Sequence, residues 1–314
     1  RALAAALPGP RPGARRLALA IVGDTPYDAA QAARFPALAD SVNADAQVQA
    51  VVHVGDIKSG GSACNDAAYT DGLARLQLFR KPVAYTPGDN EWTDCHRTGF
   101  VPSERLAHLR SVFYPLGRLS PTLGGGAGFV PERQSDAYPE NARFRVGGVT
   151  VALVHAVGSN NNLYDFTPAP PASVVADAQA EFPGRNQADV SWIRDTFRAA
   201  RNSKAVVIAM QGNPGWGQFP SDPPPTGFAD LLNELRRDAR AYGRPVVVVH
   251  GDSHVHRMDR PWTDVPNLVR VENFGSPNVH WTRLVIDPQS PEVVTAVERL
   301  VPGTPLTSPL LPLP

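Results

Sequence analysis

Cysteine is scarce: the 314-residue chain has two, Cys64 and Cys95. Two thiolates cannot by themselves complete a tetrahedral zinc site. A single disulfide is the alternative, and it points to an exported protein, as does a chain that begins at Arg1 rather than Met. Lysine is nearly as rare, with Lys58, Lys81 and Lys204 the three in the chain. Neither charge sign is in excess, since 30 Lys and Arg face 30 Asp and Glu. No long-range field therefore favours nucleic acid or an acidic surface, and any phosphate binding must come from a local site. An apolar run of about 18 residues, the length that spans a bilayer, is also missing. With 42% hydrophobic and 19% charged residues the chain is no disordered polyampholyte either. It contains no Gly-rich nucleotide loop, CxxC pair, GxSxG elbow or basic aromatic stripe. The balance describes a soluble globular protein, long enough for one large α/β domain or two modest ones.

What is present is proline and glycine, 32 and 26 residues, concentrated between apolar runs and in two tails. Residues 1–16 and 302–314 are Pro-rich and aperiodic, and are expected to be extended segments flanking one domain at 17–301. Within it six short, β-branched runs recur: 17–23, 48–55, 83–88, 149–158, 205–212 and 245–251. Such unbroken runs predict strands buried on both faces of a sheet. Helical patterns at 29–44, 67–79, 104–113, 190–201 and 227–242 alternate with them, which predicts an α/β layered fold. After Asn267 three period-two segments predict added antiparallel strands, and 120–145 reads as a long loop.

Nearly every apolar run ends in Gly followed by a ligand-type side chain. Asp24, Asp56 and Asp89 follow three runs, Gln211 another, and the last supplies Asp252, His254 and His256. Loops at the carboxyl ends of strands are where α/β sheets bind ligands. Any one Gly-Asp is most often a turn or helix cap. Five strand ends behaving alike, with carboxylates, an amide and imidazoles at one rim, describe a metal site.

The order GD (23–24), GD (55–56), GDNE (88–91), Gln211 and GDSH (251–254) resembles the calcineurin-like metallophosphoesterase superfamily, over roughly residues 17–286. The resemblance implies a four-layer α/β sandwich, two mixed β-sheets flanked by helices, with a dinuclear metal centre that hydrolyses phosphomonoesters or phosphodiesters. Asp24, Asp56 and His254 match the family's first-metal ligands, Asp56 being the bridging Asp. The second-metal positions are changed: Asp89 stands for a ligand Asn, Gln211 for a strand-end His and Asp252 for a His. Asn90 occupies the place of the catalytic His, and its amide oxygen is a further candidate ligand. Pro26 replaces the His of the first motif and leaves Tyr27 as a possible phenolate ligand, an iron ligand type of the purple acid phosphatase branch, where the Tyr comes from another motif.

The substitutions have chemical consequences. Asp56, Asp89, Asp252 and Gln211 offer only oxygen, which suits Mg²⁺, Mn²⁺ or Ca²⁺, whereas Asp24, Asp56, His254 and Tyr27 suit Fe, Mn or Zn. The second site is thus either retuned or lost, and a non-catalytic metal-binding relative that binds a ligand in its cleft is the competing reading. Asn90 cannot titrate, so His96, His250 or His256 would have to protonate the leaving group, oriented by Glu91. Lys58, on a Gly-rich loop after Asp56, is a candidate to hold the substrate phosphate. Asn160, Asn161 and Asn162 either line the cleft or form a plain turn. Trp92, Trp192 and Trp216 read first as packing, with Trp92 and Trp216 as possible walls of the site. A Cys64–Cys95 bridge would tie together the loops after Asp56 and Asp89. The expected partner is a small or exposed phosphate ester.

Overall fold

The computed structural model describes residues 16–115, 131–164, 169–216, 226–290 and 292–307. In chain order the first half runs β1 (Leu17–Val22), α1 (Ala29–Ala44), β2 (Ala50–His53), α2 (Asp66–Leu76), β3 (Val83–Tyr85), α3 (Pro102–Phe113), β4 (Glu132–Arg133), β5 (Ala142–Val146) and β6 (Val149–Leu153). The second half runs α4 (Gly158–Asn161), α5 (Ala172–Ala199), β7 (Ala205–Ala209), α6 (Ala229–Tyr242), β8 (Val246–His250), β9 (Arg257–Asp259), β10 (Leu268–Glu272), β11 (Trp281–Ile286) and β12 (Val294–Arg299). All six apolar runs form strands. A five-stranded sheet has the order β12-β11-β1-β2-β3 and a seven-stranded sheet the order β4-β5-β6-β7-β8-β10-β9.

Side-chain alternation along these strands builds four layers. Leu17, Leu19 and Ile21 of β1 meet Val207 and Ala209 of β7 and Val247 and Val249 of β8 between the two sheets. Ala20 and Val22 point the other way, onto Phe35, Leu38 and Val42 of α1 and Leu109 and Phe113 of α3. On the far side, Val206 and Ile208 pack under Trp192, Ile193 and Phe197 of α5 and Leu231 and Leu235 of α6. This is the expected helix-sheet-sheet-helix sandwich. No helix among the described residues is long and apolar enough to cross a membrane.

Three expectations need correction. β11 and β12 are antiparallel additions, but β10 pairs parallel with β8 and extends the parallel core of the second sheet. Hydrophobic period carries no information on strand direction. Within 120–145, expected to be loop, residues 132–133 and 142–146 pair as β4 and β5, and 116–130 lie outside the described residues. The helix expected at 190–201 starts at Ala172 and runs through Pro183. Residues 1–15 and 308–314, most of both tails, also lie outside the described residues.

Cys64 and Cys95 form a disulfide, with Cα atoms 5.6 Å apart and a sequence separation of 31. Closing a loop of that size stabilises a fold by roughly 3–4 kcal/mol in the chain-entropy model. The Cys64→Ser/Cys95→Ser double variant is therefore expected to lose about that much in a urea titration. A loss well below about 1 kcal/mol would show that the bridge adds nothing the packing does not already supply.

Candidate metal centre

The parallel strands of both sheets end at one rim, and hydrogen bonds stitch the rim together across the sandwich. The Asp24 amide donates to the Gly55 carbonyl at 3.0 Å, and the Asp252 amide to Asp24 Oδ1 at 2.9 Å. Four of the rim residues, Asp24, Asp56, Asp252 and His254, hold left-handed φ values of 53°, 57°, 76° and 60°. Backbone in that region costs about 1–3 kcal/mol per residue and persists only where the surroundings enforce it.

Asp24, Asp56 and His254 each bring a ligand atom to within 4.8 Å of the others. The His254 Nδ1 edge lies 2.9 Å from the Ser276 carbonyl. Donation there leaves Nε2 as the free lone pair, the tautomer a metal requires. Tyr27 joins the group: its hydroxyl donates to Asp56 Oδ2 at 2.5 Å and lies 3.2 Å from His254 Nε2. Asp24 Oδ2 is buried and has no partner. Close approach is built in, since a Cβ on Gly251 would stand 1.9 Å from that oxygen.

A second pair of carboxylates adjoins the first group. Asp89 Oδ2 and Asp252 Oδ1 both lie beside Gly158, at 2.6 and 2.5 Å from where its Cβ would be. Gly158 opens a turn in which Ser159, Asn160, Asn161 and Asn162 are all left-handed. Short polar residues tolerate that conformation best, which accounts for the GSNNN run. The turn is clamped from α5, where the Arg185 guanidinium donates to Asn161 Oδ1 at 2.6 Å and to the Asn161 and His155 carbonyls at 2.8 Å. The Ser159 hydroxyl then reaches both Asp89 Oδ2 at 2.9 Å and Asp94 Oδ1 at 2.8 Å. Neither Ser159 nor Asp94 was singled out from the sequence; only the unusual GSNNN run signalled the first.

The electrostatics of this rim call for cations. Burial, with the charges of Asp252, Glu272 and Asp89, holds the Asp24 carboxyl well above its usual range. Burial and Asp89 do the same to Asp56, and push Asp252 to about 8. Asp94 is pushed to about 7 by burial and Asp89, against the pull of Arg97. Buried carboxylates that repel one another and leave an oxygen unpartnered fit bound metal. The donor set, carboxylates with one imidazole and a phenol, fits as well.

The other expected site residues sit elsewhere or play other parts. Asn90 turns its Nδ2 toward Asp56 Oδ2 at 2.7 Å and Tyr27 Oη at 2.9 Å, so it presents a donor to the ligands and not a ligand atom. Gln211 gives its carbonyl to the Gly158 amide at 2.6 Å, fixing the left-handed turn. Glu91 is buried and accepts from the Ile57 amide and the Tyr85 hydroxyl; it orients no imidazole. Lys58 is buried with its ammonium on the Ser59 and Ser62 carbonyls, at 2.8 and 3.0 Å, which folds its own loop.

His250 is fully covered, burial lowers its pKa to about 3, and its Nδ1 lies 2.9 Å from the Gly251 carbonyl. His256 stacks on Phe274 with Nδ1 at 2.9 Å from the Glu272 carbonyl. His96 is tied to the Thr93 carbonyl at 2.8 Å and packs edge-on against Tyr164. Trp92 and Trp216 pack, the first against His155 and the second against Trp262.

The family model for calcineurin-like phosphoesterases matches residues 17–256. Among solved structures, the chain is similar to TT1561 of Thermus thermophilus, with a TM-score of 0.47 and 8% identity over 90% of this chain and 98% of that one. It is also similar to purple acid phosphatase PPD1 from yellow lupin, with a TM-score of 0.49 and 11% identity over 93% and 53% of the two chains. A 5'-nucleotidase from Candida albicans gives a TM-score of 0.44 and 10% identity over 90% and 50%. No curated protein matches the sequence.

Proposed function

Because the chain belongs to the calcineurin-like phosphoesterase family and is thus a metal-dependent phosphoester hydrolase, we propose that it works with two ions on divided ligand sets. Asp24, Asp56, His254 and Tyr27 would hold the first, a Fe, Mn or Zn ion, and Asp89 and Asp252 the second, a harder Mn, Mg or Ca ion. The observation that carries the proposal is the juxtaposition of two acidic groups, one around the orphaned Asp24 oxygen and one around Gly158. Such ions supply Lewis acidity toward phosphoryl oxygens and lower the pKa of water.

The chain's own residues set the rest. Asn90 holds Asp56 by a hydrogen bond, while Ser159 and Gln211 hold Asp89 and the Gly158 turn. Asn90 has no proton to lend to a leaving alkoxide. His254, the imidazole grouped with the carboxylates among the described residues, is reserved as a ligand. The substrate we propose is therefore a small or exposed phosphate ester with a good leaving group. The Cys64–Cys95 bridge supports residence in an oxidising compartment, and export belongs to the same proposal.

The test is hydrolysis of 4-nitrophenyl phosphate and bis(4-nitrophenyl) phosphate by protein stripped with chelator and reloaded with Mn²⁺, Mg²⁺, Ca²⁺, Zn²⁺ or iron. Metal-restored turnover is expected on at least one of the two. An alkyl phosphate should react slower by a factor of at least about 100, since nothing protonates its leaving group. No turnover with any ion sinks the proposal. Equal rates on aryl and alkyl esters would show that an acid is at work.

A further inference from the structure

At the other end of the second sheet, where β7 and β8 begin, the last turns of α5 and α6 flank an open groove of about 400 Å³. The five-residue strands put about 17 Å between this groove and the metal rim. It is lined by Arg194, Arg198, Arg201, Arg237, Arg244 and Asp238, over Phe197 and Tyr242. Cations are favoured at helix C-termini, where backbone carbonyls point out. That preference explains one or two arginines here, not five.

The local carboxylates do not balance them. Glu234 is shared by Arg194, at 2.8 Å, and Arg237. Asp238 lies 3.1 Å from Arg237, and Asp195 lies 3.1 Å from an exposed Arg198. Arg244 spends its guanidinium on the neutral carbonyls of Ser203 and Arg201, at 2.5 and 2.6 Å, and lies 4.2 Å over the Tyr242 ring. Among the described residues, Arg201 and Arg244 have no carboxylate partner in any ion pair. On a chain with a formal net charge of zero, this is a local concentration of like charge that an anion would relieve.

We infer that the groove is a binding site for a small anion carrying two or more phosphoryl groups. Guanidinium forks match phosphoryl oxygens in pairs, and arginine fills every basic position in the groove lining. The volume falls at the small end of the roughly 300–1,000 Å³ of small-molecule sites, so the occupant is a metabolite-sized anion and not a polymer. The excess of positive charge calls for more than one phosphoryl group. Nothing in the groove depends on the metal rim.

The experiment is calorimetric titration of sodium tripolyphosphate into the whole chain stripped with chelator, where the carboxylate rim itself repels anions. One site is expected, with affinity that falls as salt rises through the range where the Debye length is about 10 Å. Arg201→Glu, an exposed change, is expected to weaken binding at least about tenfold. Arg236→Glu, on α6 but paired with Asp264 at 2.7 Å outside the groove, should stay within about twofold. No binding by the wild type below about 1 mM, or equal weakening in both variants, overturns the inference. Orthophosphate binding as tightly as tripolyphosphate overturns the requirement for several phosphoryl groups. Adenosine triphosphate distinguishes the sources: binding comparable to tripolyphosphate supports recognition of a phosphorylated end, and binding of tripolyphosphate alone supports a free polyphosphate.

Discussion

Asp24→Asn is expected to make the metal-free protein more heat-stable while abolishing hydrolysis. Asn keeps the bond that Asp24 Oδ1 accepts from the Asp252 amide, and Asn adopts the left-handed φ of 53° at least as readily as Asp. What it removes is a buried ionisable carboxyl whose charged form is disfavoured by burial first and then by Asp252, Glu272 and Asp89. Removing that penalty should stabilise the metal-free fold by about 1–3 kcal/mol at pH 7. The sign with pH follows from the raised carboxyl. A group whose folded pKa lies above its unfolded value near 3.9 weakens the fold as pH rises past that value. The advantage of Asn over Asp should therefore shrink as pH falls from 7 toward 4, in melting curves taken with chelator present. With metal present the order reverses, because the variant has lost a ligand, and turnover should drop by a factor of at least about 10³. A variant less stable than wild type without metal would show that Asp24 serves the fold and not an ion.

Gly158→Ala should damage the second carboxylate pair and spare the first group. The backbone at 158 lies outside the left-handed region, so alanine costs nothing there; its methyl would instead enter between Asp252 Oδ1 and Asp89 Oδ2. Overpacking of this kind costs about 1–3 kcal/mol. The separated carboxylates should no longer hold their ion, lowering the rate by a factor of at least about 100. Gly61→Ala is the control: its Cβ would meet nothing closer than Ser59 Oγ at 3.7 Å, and stability should change by less than about 0.5 kcal/mol. If Gly158→Ala retains both ions and full activity, Asp89 and Asp252 do not form a site.

These two residues show what could and could not be seen in the sequence. Asp24 was legible because buried strands are apolar on both faces and the acidic residue at their end breaks the pattern abruptly. α1 was legible from its helical pattern at 29–44, and in the structure the Asp28 side chain caps it by accepting from the Gln31 amide at 2.8 Å. Gly158 was not. Its part depends on a neighbour from another strand, and on a turn held from a helix whose stretch before Val190 escaped notice. That stretch of α5 carries Pro183 and buries Arg185, Asn186 and Asp189, so the apolar period that betrays a helix is absent where its polar face is the buried one. The histidines misled in the opposite direction. His250 and His256 are close in sequence to Asp252 and His254, but His250 is the covered last residue of β8 and His256 turns to the Glu272 carbonyl. Adjacency along the chain is not adjacency at the rim.

Metal content bears most directly on the central claim, measured by mass spectrometry on purified wild type, Asp24→Asn and Gly158→Ala after Fe, Mn, Zn, Mg and Ca are offered in turn. Two ions per wild-type chain are expected, with the first lost in Asp24→Asn and the second in Gly158→Ala. A wild type that holds no ion under any of these conditions would contradict the account.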